Sequence, residues 1–194
     1  MSRVMETGVA EYRQRLLRDL SGAVVEVGAG NGLNFRHYPP AVAHVVAVEP
    51  EPYLRERARA EAQAVPILVE VVEGTADTLA AADASFDAAV MSLVLCTVPH
   101  QAEALAEAFR VIRPGGQLRF FEHVLADTPG LARVQRAADL VWPRLAGGCH
   151  AGRDTLAAIE RAGFEIEGVE RFRFPPTRVP LPTSPHVLGR ARRP

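Results

Sequence analysis

Three glycines and two acidic residues near the amino-terminal end have the types and spacing of a ligand-binding turn. A short apolar run leads directly into Gly28, Gly30 and Gly32. Glycines in such a turn let a ligand approach the backbone without a Cβ atom in between. Glu26 precedes the first glycine by two positions, and Glu49 ends the next β-branched run, where a carboxylate can bind two ribose hydroxyls. The pattern predicts a site for a ligand that contains a ribose.

Two kinds of nucleotide cofactor compete for this glycine turn. A dinucleotide-binding turn requires glycine or alanine where this chain has Leu33, and its pyrophosphate disfavours a carboxylate as near as Glu26. The ammonium and sulfonium groups of S-adenosylmethionine (SAM) suit the charge of Glu26. We therefore predict SAM as the cofactor. A nicotinamide-dependent oxidoreductase and a non-catalytic SAM- or nucleotide-binding module are the alternatives.

His123 is the candidate catalytic residue. It ends a predicted strand, and ligands of open α/β sheets bind at the carboxyl ends of strands. Histidine titrates near neutral pH and can accept a proton from a thiol or a hydroxyl group. A purely structural histidine at a strand end is the alternative. Methyl transfer mainly requires alignment and exclusion of water, so a site without a strong base is also compatible with the chemistry.

Two cysteines and two histidines carry atoms that zinc binds, namely Cys96, Cys149, His123 and His150. Typical zinc sites contain paired ligands such as C-x-x-C or H-x-x-x-H, and this chain has neither pair. We therefore predict no metal site and interpret Cys96 as a small buried apolar group beside the cofactor.

The elements that must position these residues alternate along the chain. Predicted strands cover 23–27, 42–48, 67–72, 86–91, 118–124, 164–172 and 187–192, and predicted helices cover 9–20, 52–64, 101–112, 131–145 and 154–162. Such alternation predicts an α/β fold with a doubly wound, mostly parallel seven-stranded sheet, helices on both faces and an antiparallel last strand. We expect one domain over residues 1–194, with an insertion at about 125–152 that covers the acceptor pocket. Trp142 is either an apolar wall of that pocket or a core residue.

Composition excludes several functional classes. The chain has 194 residues, a formal net charge of −1 and two cysteines, which argues against nucleic acid as a partner and against a disulfide framework. No apolar stretch reaches the roughly 20 residues of a transmembrane helix, and the first residues lack the pattern of a signal peptide. We expect a cytoplasmic protein with a small-molecule acceptor; the sequence does not indicate its oligomeric state.

Three segments in order resemble the motifs of class I SAM-dependent methyltransferases. They are EVGAGNG at 26–32, ASFDAAV at 84–90 and RVIRPGG at 110–116. Shorter segments resemble the methyltransferase-like protein 7 family, whose members are implicated in S-methylation of small thiols: NFRHYPP at 34–40, LVLC at 93–96, FEHV at 121–124, GC at 148–149 and PHVLG at 185–189. The resemblance implies methyl transfer to a small acceptor, a thiol first, with an amine, carbon or lipid-headgroup acceptor as the alternative.

The resemblance also implies roles for individual residues. The three glycines would line the methionine part of SAM, Glu49 would hold the ribose, and Thr75 and Ala76 would flank the adenine. Residues 92–95 would close over the cofactor near its methyl group. The full set of expected cofactor-binding residues is Glu26, Gly28, Ala29, Gly30, Gly32, Asn34, Glu49, Pro50, Thr75, Ala76, Ser92 and Leu93.

Overall fold

A mixed sheet forms the centre of the computed structural model, which describes residues 3–177 and 181–194. Within these residues its seven strands are β1 Gly22–Val27, β2 Val42–Val48, β3 Leu68–Val72, β4 Phe86–Ser92, β5 Ile112–His123, β6 Glu165–Arg173 and β7 Pro185–Arg192. The strand order is β3-β2-β1-β4-β5-β7-β6. The pairs among β1 to β5 are parallel, whereas β7 lies antiparallel between β5 and β6. The predicted fold class is confirmed.

Helices cover both faces of the sheet. They are α1 Arg3–Leu17, α2 Pro52–Ala62, α3 Gln101–Val111, α4 Pro129–Ala138, α5 Trp142–Leu145 and α6 Thr155–Arg161. On one face, Leu105 of α3 and Ile159 of α6 are fully buried against the sheet. On the other face, Leu17 of α1 and Ala58 of α2 are fully buried. Because both faces are covered, the central strands have continuous runs of apolar, mostly β-branched residues in the sequence.

The central strands fix the position of the site. Val24, Val25 and Val27 of β1 are at most 1% exposed, as expected for a strand covered on both faces. The chain continues from β1 to β2 on one side and returns to β4 on the other, so that strand order reverses beside β1. Open α/β sheets bind ligands at the carboxyl ends of the strands at such a reversal.

Three predicted elements differ from those observed. Strand β5 begins at Ile112 instead of residue 118, so the segment from Pro114 to Gly116 lies inside it. The helix predicted over 131–145 is two helices, α4 and α5, because Pro143 lacks the N–H that the interior of a continuous helix would need. The first helix ends at Leu17, before Asp19 and Gly22 adopt φ values of 63° and 73°. In the described part of the chain, no helix is both long and apolar enough to cross a bilayer.

Candidate functional site

A cavity of about 490 Å³ opens at the carboxyl ends of β1 to β4. Every residue predicted to bind the cofactor lines it except Gly32. Additional lining residues come from α1, from the last residue of β2, from the first turns of α2 and α3 and from the loops after the strands: Arg13, Asn31, Leu33, Val48, Leu54, Gly74, Asp77, Val94, Thr97, Val98, Pro99, His100 and Ala104. The cavity therefore lies beside the reversal of strand order, where the glycine turn leaves β1.

The three glycines of the turn have different roles, although all have positive φ values. A Cβ atom on Gly28 would lie 2.5 Å from Val94 Cγ2, and one on Gly32 would lie 2.7 Å from Phe35 Cε2. A Cβ atom on Gly30 would meet nothing within 4 Å. Gly32 therefore supports the turn by packing instead of lining the cavity, because its Cα faces the Phe35 ring. Gly30 presents bare backbone to the open space.

Glu49 is a buried carboxylate held in a fixed orientation at the end of β2. Its Oε2 accepts a hydrogen bond from the Gly30 N–H at 2.7 Å, and its Oε1 accepts one from the Glu51 N–H at 3.0 Å. The Arg55 guanidinium donates to the main-chain carbonyl of Glu49 at 3.0 Å. Because a carboxylate oxygen can accept more than one hydrogen bond, each oxygen keeps the capacity for another on the cavity side. This group can accept two hydrogen bonds from a ribose.

Glu26 is buried at the floor of the cavity in a network of neighbours. Tyr38 Oη donates to its Oε2 and Asn34 Nδ2 donates to its Oε1, both at 2.8 Å. Arg13 donates to Asn34 Oδ1 at 2.6 Å. Burial raises the pKa of Glu26 to about 7, against the opposing effect of these hydrogen bonds and of Arg13. A ligand cation beside Glu26 would favour its charged form.

The loop after β4 closes one side of the cavity and is shaped by Glu122. The Glu122 carboxylate is fully buried and accepts hydrogen bonds from the N–H groups of Val94, Leu95 and Cys96 at 2.9, 3.0 and 3.1 Å. Burial raises the pKa of Glu122 well above its ordinary value, and the three N–H donors oppose that shift. Leu93, at the start of this loop, has a φ of 60°. Glu122 thus positions the loop rather than the ligand.

Ser92 supplies a test of whether a polar ligand fits the cavity. Its Oγ atom is buried and has no hydrogen-bond partner within the described residues, although Ser92 lines the cavity. Buried hydroxyl groups are usually paired. An orphaned hydroxyl, the bare backbone of Gly30 and the oriented Glu49 carboxylate together fit the SAM molecule that the sequence predicts.

His123 lies outside this cavity, in a cluster with two free cysteines. Its Nδ1 is 3.3 Å from Cys149 Sγ and 3.5 Å from Cys96 Sγ. Its ring packs on that of His186 at a centroid distance of 4.4 Å. Thr97 links the cluster to the cavity, because its Oγ1 is 3.6 Å from Cys96 Sγ and the residue lines the cavity. His123 is therefore one loop away from the space for the cofactor.

The two thiols of the cluster differ in acidity. A hydrogen bond with Cys149, followed by burial, raises the pKa of Cys96 to about 12. The same hydrogen bond lowers the pKa of Cys149. Burial, followed by the nearby His123, lowers the pKa of His186 to about 4, so that His186 is neutral at working pH. Cys149 is the thiol that ionises first.

A second cavity of about 410 Å³ lies beyond His123, between residues 124–131 and strands β6 and β7. Its wall includes His186 and Phe172 together with two arginines, Arg171 and Arg173. The adjoining segment carries Trp142, which is half-buried and does not line either cavity. Trp142 as an apolar wall of the acceptor pocket therefore stays a prediction.

Two groups of side chains in the described chain could hold a metal ion. Besides Cys96, His123 and Cys149, they include Asp77, His100 and Glu103 at the rim of the first cavity. The rim group is largely exposed, whereas both cysteines of the first group are buried. Sequence reasoning assigned no role to Arg13, which lies on α1 and approaches Asn34 only in the folded chain.

The fold and the site define a SAM-dependent methyltransferase that acts on a small-molecule acceptor. A family model described as "Methyltransferase domain" matches residues 25–120. Human thiol S-methyltransferase TMT1B is 35% identical over 173 residues, which are 87% of this chain and 70% of the relative. This chain belongs to the thiol S-methyltransferase family that includes TMT1A and TMT1B.

Other methyltransferases are similar in sequence or in structure. The ubiquinone/menaquinone biosynthesis C-methyltransferase UbiE of Nitrobacter hamburgensis is 40% identical over 145 residues, covering 74% of this chain and 53% of the relative. The crystal structure of a SAM-dependent methyltransferase from Mesorhizobium loti superposes with a TM-score of 0.68 at 24% identity, covering 97% of this chain and all of that one. The cofactor of this protein is SAM, as the glycine turn predicts.

Proposed function

We propose that this protein transfers the methyl group of SAM to the sulfur atom of small thiols. The observation that carries the proposal is its similarity, over 87% of the chain, to a relative named as a thiol S-methyltransferase. A thiol acceptor requires little catalytic machinery, since a thiolate is a strong nucleophile and SAM already activates the methyl group. One histidine near the cofactor cavity suffices for this chemistry.

The cofactor would lie along the carboxyl ends of the strands. Glu26 would attract the ammonium group, while the Arg13 guanidinium would pair with the carboxylate of the methionine part. Gly28, Ala29 and Gly30 would pass beneath that part with their backbones. Glu49 would accept the two ribose hydroxyls, which the orientation of its carboxylate by two N–H groups supports.

The remaining predicted residues would enclose the other parts of SAM. Pro50, Thr75 and Ala76 would flank the adenine, and Asn34 would hold Glu26 in place. Ser92 and Leu93 would lie near the transferred methyl group. Gly32 would act only indirectly, because it supports the turn through Phe35.

His123 would be the side chain that promotes loss of the acceptor's proton. During the transfer, a sulfur lone pair forms a bond to the methyl carbon while the carbon–sulfonium bond breaks, and its electrons stay on the sulfur of S-adenosylhomocysteine. The acceptor must be deprotonated before or during this step. The position of His123 at the end of β5, with Nδ1 facing two sulfur atoms, supports its action on a thiol.

Residues 125–152 would cover the acceptor. Gln135 of α4 ties this segment to the sheet, because its amide donates to the carbonyls of Val124, Ala151 and Pro182 at 2.9 to 3.0 Å. Asp139 accepts hydrogen bonds from the N–H groups of Ala151 and Gly152 at 2.8 and 3.0 Å. Both ends of the segment are therefore fixed, while Leu140 and Leu145 between them are exposed.

A carbon acceptor is the second candidate, favoured by the 40% identity to UbiE over 145 residues. We do not propose nucleic acid as an acceptor, in keeping with the net charge of −1. A cytoplasmic location stays a prediction, supported by two free thiols that suit a reducing compartment.

The test is an acceptor screen with purified protein and SAM, read by mass spectrometry of the methylated product and of S-adenosylhomocysteine. Matched acceptors that differ only in the nucleophile, such as 2-mercaptoethanol, ethanolamine and ethylene glycol, isolate the role of sulfur. Thiol-dependent formation of a methyl thioether supports the proposal. Methylation of a quinone precursor without any thiol product would favour the carbon acceptor instead.

A further inference from the structure

Cys96, His123 and Cys149 have the geometry of a metal-ligand set. Their ligand atoms all lie within 4.8 Å of one another. In tetrahedral zinc sites, Zn–S bonds of about 2.3 Å and Zn–N bonds of about 2.05 Å place sulfur and nitrogen about 3.6 Å apart. The observed Sγ–Nδ1 distances are 3.3 and 3.5 Å, so one ion could contact all three atoms with small adjustments.

Three separate segments deliver these ligands, and each is held by the surrounding structure. Cys96 lies in the loop that Glu122 fixes through three N–H groups. His123 ends β5, within the sheet. Cys149 is held near Cys96 because the next N–H, that of His150, donates to the Cys96 carbonyl at 2.7 Å. The ligand set is therefore preorganised without an ion.

The burial of the two cysteines also suits a metal site. Cys96 and Cys149 are 1% and 7% exposed, so an ion between them would be shielded from water, and coordination deprotonates a thiol outright. The Glu122 carboxylate accepts a hydrogen bond from the Cys96 N–H at 3.1 Å and so fixes the backbone that carries this thiol. We propose that Cys96, His123 and Cys149 bind one thiophilic divalent cation such as Zn²⁺, with the acceptor thiol as its fourth ligand. Coordination of the acceptor rests on the thiol methylation proposed above.

An ion held by three protein ligands keeps a fourth position open, as catalytic zinc sites do. A thiol that coordinates there loses its proton to solvent and becomes a thiolate at neutral pH. One of its lone pairs then forms the bond to the SAM methyl carbon, the carbon–sulfonium bond breaks, and the thioether leaves the ion. The ion keeps its oxidation state throughout. His123 promotes deprotonation of the acceptor by binding the ion. Thr97 lies between the ligand set and the first cavity, because it contacts Cys96 Sγ and also lines that cavity.

This site departs from the prediction that the chain has no metal site. Zinc ligands usually come in sequence pairs, whereas Cys96 and His123 are separated by 27 positions and His123 and Cys149 by 26. Only the packing of the β4 loop, β5 and the turn after α5 brings the three atoms together. A search of the sequence for closely spaced ligand pairs therefore cannot detect this arrangement.

The experiment is a Co²⁺ titration of reduced, chelator-treated and desalted protein. Cobalt adopts zinc's tetrahedral ligand sets, and its thiolate complexes absorb in the near-ultraviolet and visible ranges. We expect saturation at one equivalent, a thiolate-to-cobalt band, and displacement by Zn²⁺. Loss of one ligand in Cys96→Ala, Cys149→Ala or His123→Ala should weaken cobalt binding by about 100-fold or more. Even substitution of a residue that only hydrogen-bonds a metal ligand lowers metal affinity by about 10- to 100-fold.

His150→Ala is the matched control, because His150 adjoins Cys149 but does not belong to the ligand set. It should bind cobalt like the parent. Retained affinity for S-adenosylhomocysteine shows that each variant is folded. Reduced parent protein that takes up no cobalt, or cobalt binding that survives all three ligand substitutions, would overturn the metal site.

Addition of 2-mercaptoethanol to the cobalt-loaded protein separates this inference from the proposed function. A shift in the thiolate band with no SAM present supports coordination of the acceptor, and ethylene glycol should cause none. An unchanged band would overturn the fourth-ligand assignment even where thiols are methylated. Conversely, a shifted band without methyl transfer to any thiol would leave the ion in place and refute the thiol methyltransferase.

Discussion

Gly30→Ala tests the placement of the cofactor more cleanly than any other substitution, because the free protein has room for the added methyl group. A Cβ atom on Gly30 meets nothing within 4 Å, so the substitution costs only backbone strain at a φ of 58°. That strain is about 1–2 kcal/mol of unfolding free energy for a non-glycine residue. Bound SAM would occupy the same space, and forcing an extra methyl group into a packed contact costs about 1–3 kcal/mol, or roughly 5- to 150-fold in affinity.

The assay is calorimetric titration with S-adenosylhomocysteine, paired with thermal unfolding. Gly115→Ala is the matched control, since Gly115 also has a positive φ of 79° and open space around its Cα but lies outside the cavity. Both variants should lose similar stability, and only Gly30→Ala should lose affinity. Equal affinities in the two variants would refute the placement of SAM against the glycine turn.

Four further predictions concern the acidic residues and His123. Glu49→Ala should weaken S-adenosylhomocysteine binding by about 100-fold or more in calorimetry, because two hydrogen bonds to a charged group are worth about 1.5–3 kcal/mol each. Glu51→Ala removes only a helix cap and should leave this binding unchanged. His123→Ala should lower kcat for thiols with unchanged affinity for S-adenosylhomocysteine, and unchanged kcat would return His123 to a structural role. With a Glu26 pKa of about 7, the affinity for S-adenosylhomocysteine should rise roughly tenfold between pH 6 and 8, because Glu26 becomes the carboxylate that attracts the ligand's ammonium group. Glu26→Gln should show no such rise. In the cofactor-free protein the raised pKa of Glu26 has the opposite effect on stability, because the folded state holds this proton more tightly than the unfolded state. The free energy of unfolding should therefore fall as pH rises from about 4.5 through 7.

Local patterns were sufficient for most of the fold and for a set of candidate cofactor residues that line one cavity. Short β-branched runs and glycine breaks predicted the central strands β1, β2 and β4, since a buried parallel strand must be apolar along its whole length. The ends of those strands then located Glu49 and Ser92 at one edge of the sheet. The break at Pro143 was missed, although proline is an unfavourable residue inside a helix.

Features that depend on distant contacts could not be obtained from the sequence. Gly30 and Gly32 look alike in the sequence. Only the folded chain shows that Gly32 packs against Phe35, whereas the Cα of Gly30 faces open space in the cavity. Arg13 reaches Asn34 across 21 positions. The approach of His123 to Cys96 and Cys149 likewise arises from the packing of three segments, so no periodicity or spacing could indicate it.

The placement of β7 between β5 and β6 has a consequence for how the protein is made. During synthesis β6 emerges before β7, yet β6 pairs with β7 and β7 pairs with β5. In the native sheet β6 pairs only with β7, so its ladder cannot form until the strand from Pro185 to Arg192 is available. A chain that stops before Pro185 would lose two strands instead of one, with His186 and its ring contact to His123. Pairing of β6 and the ring contact at His123 are therefore completed together, when β7 joins the sheet.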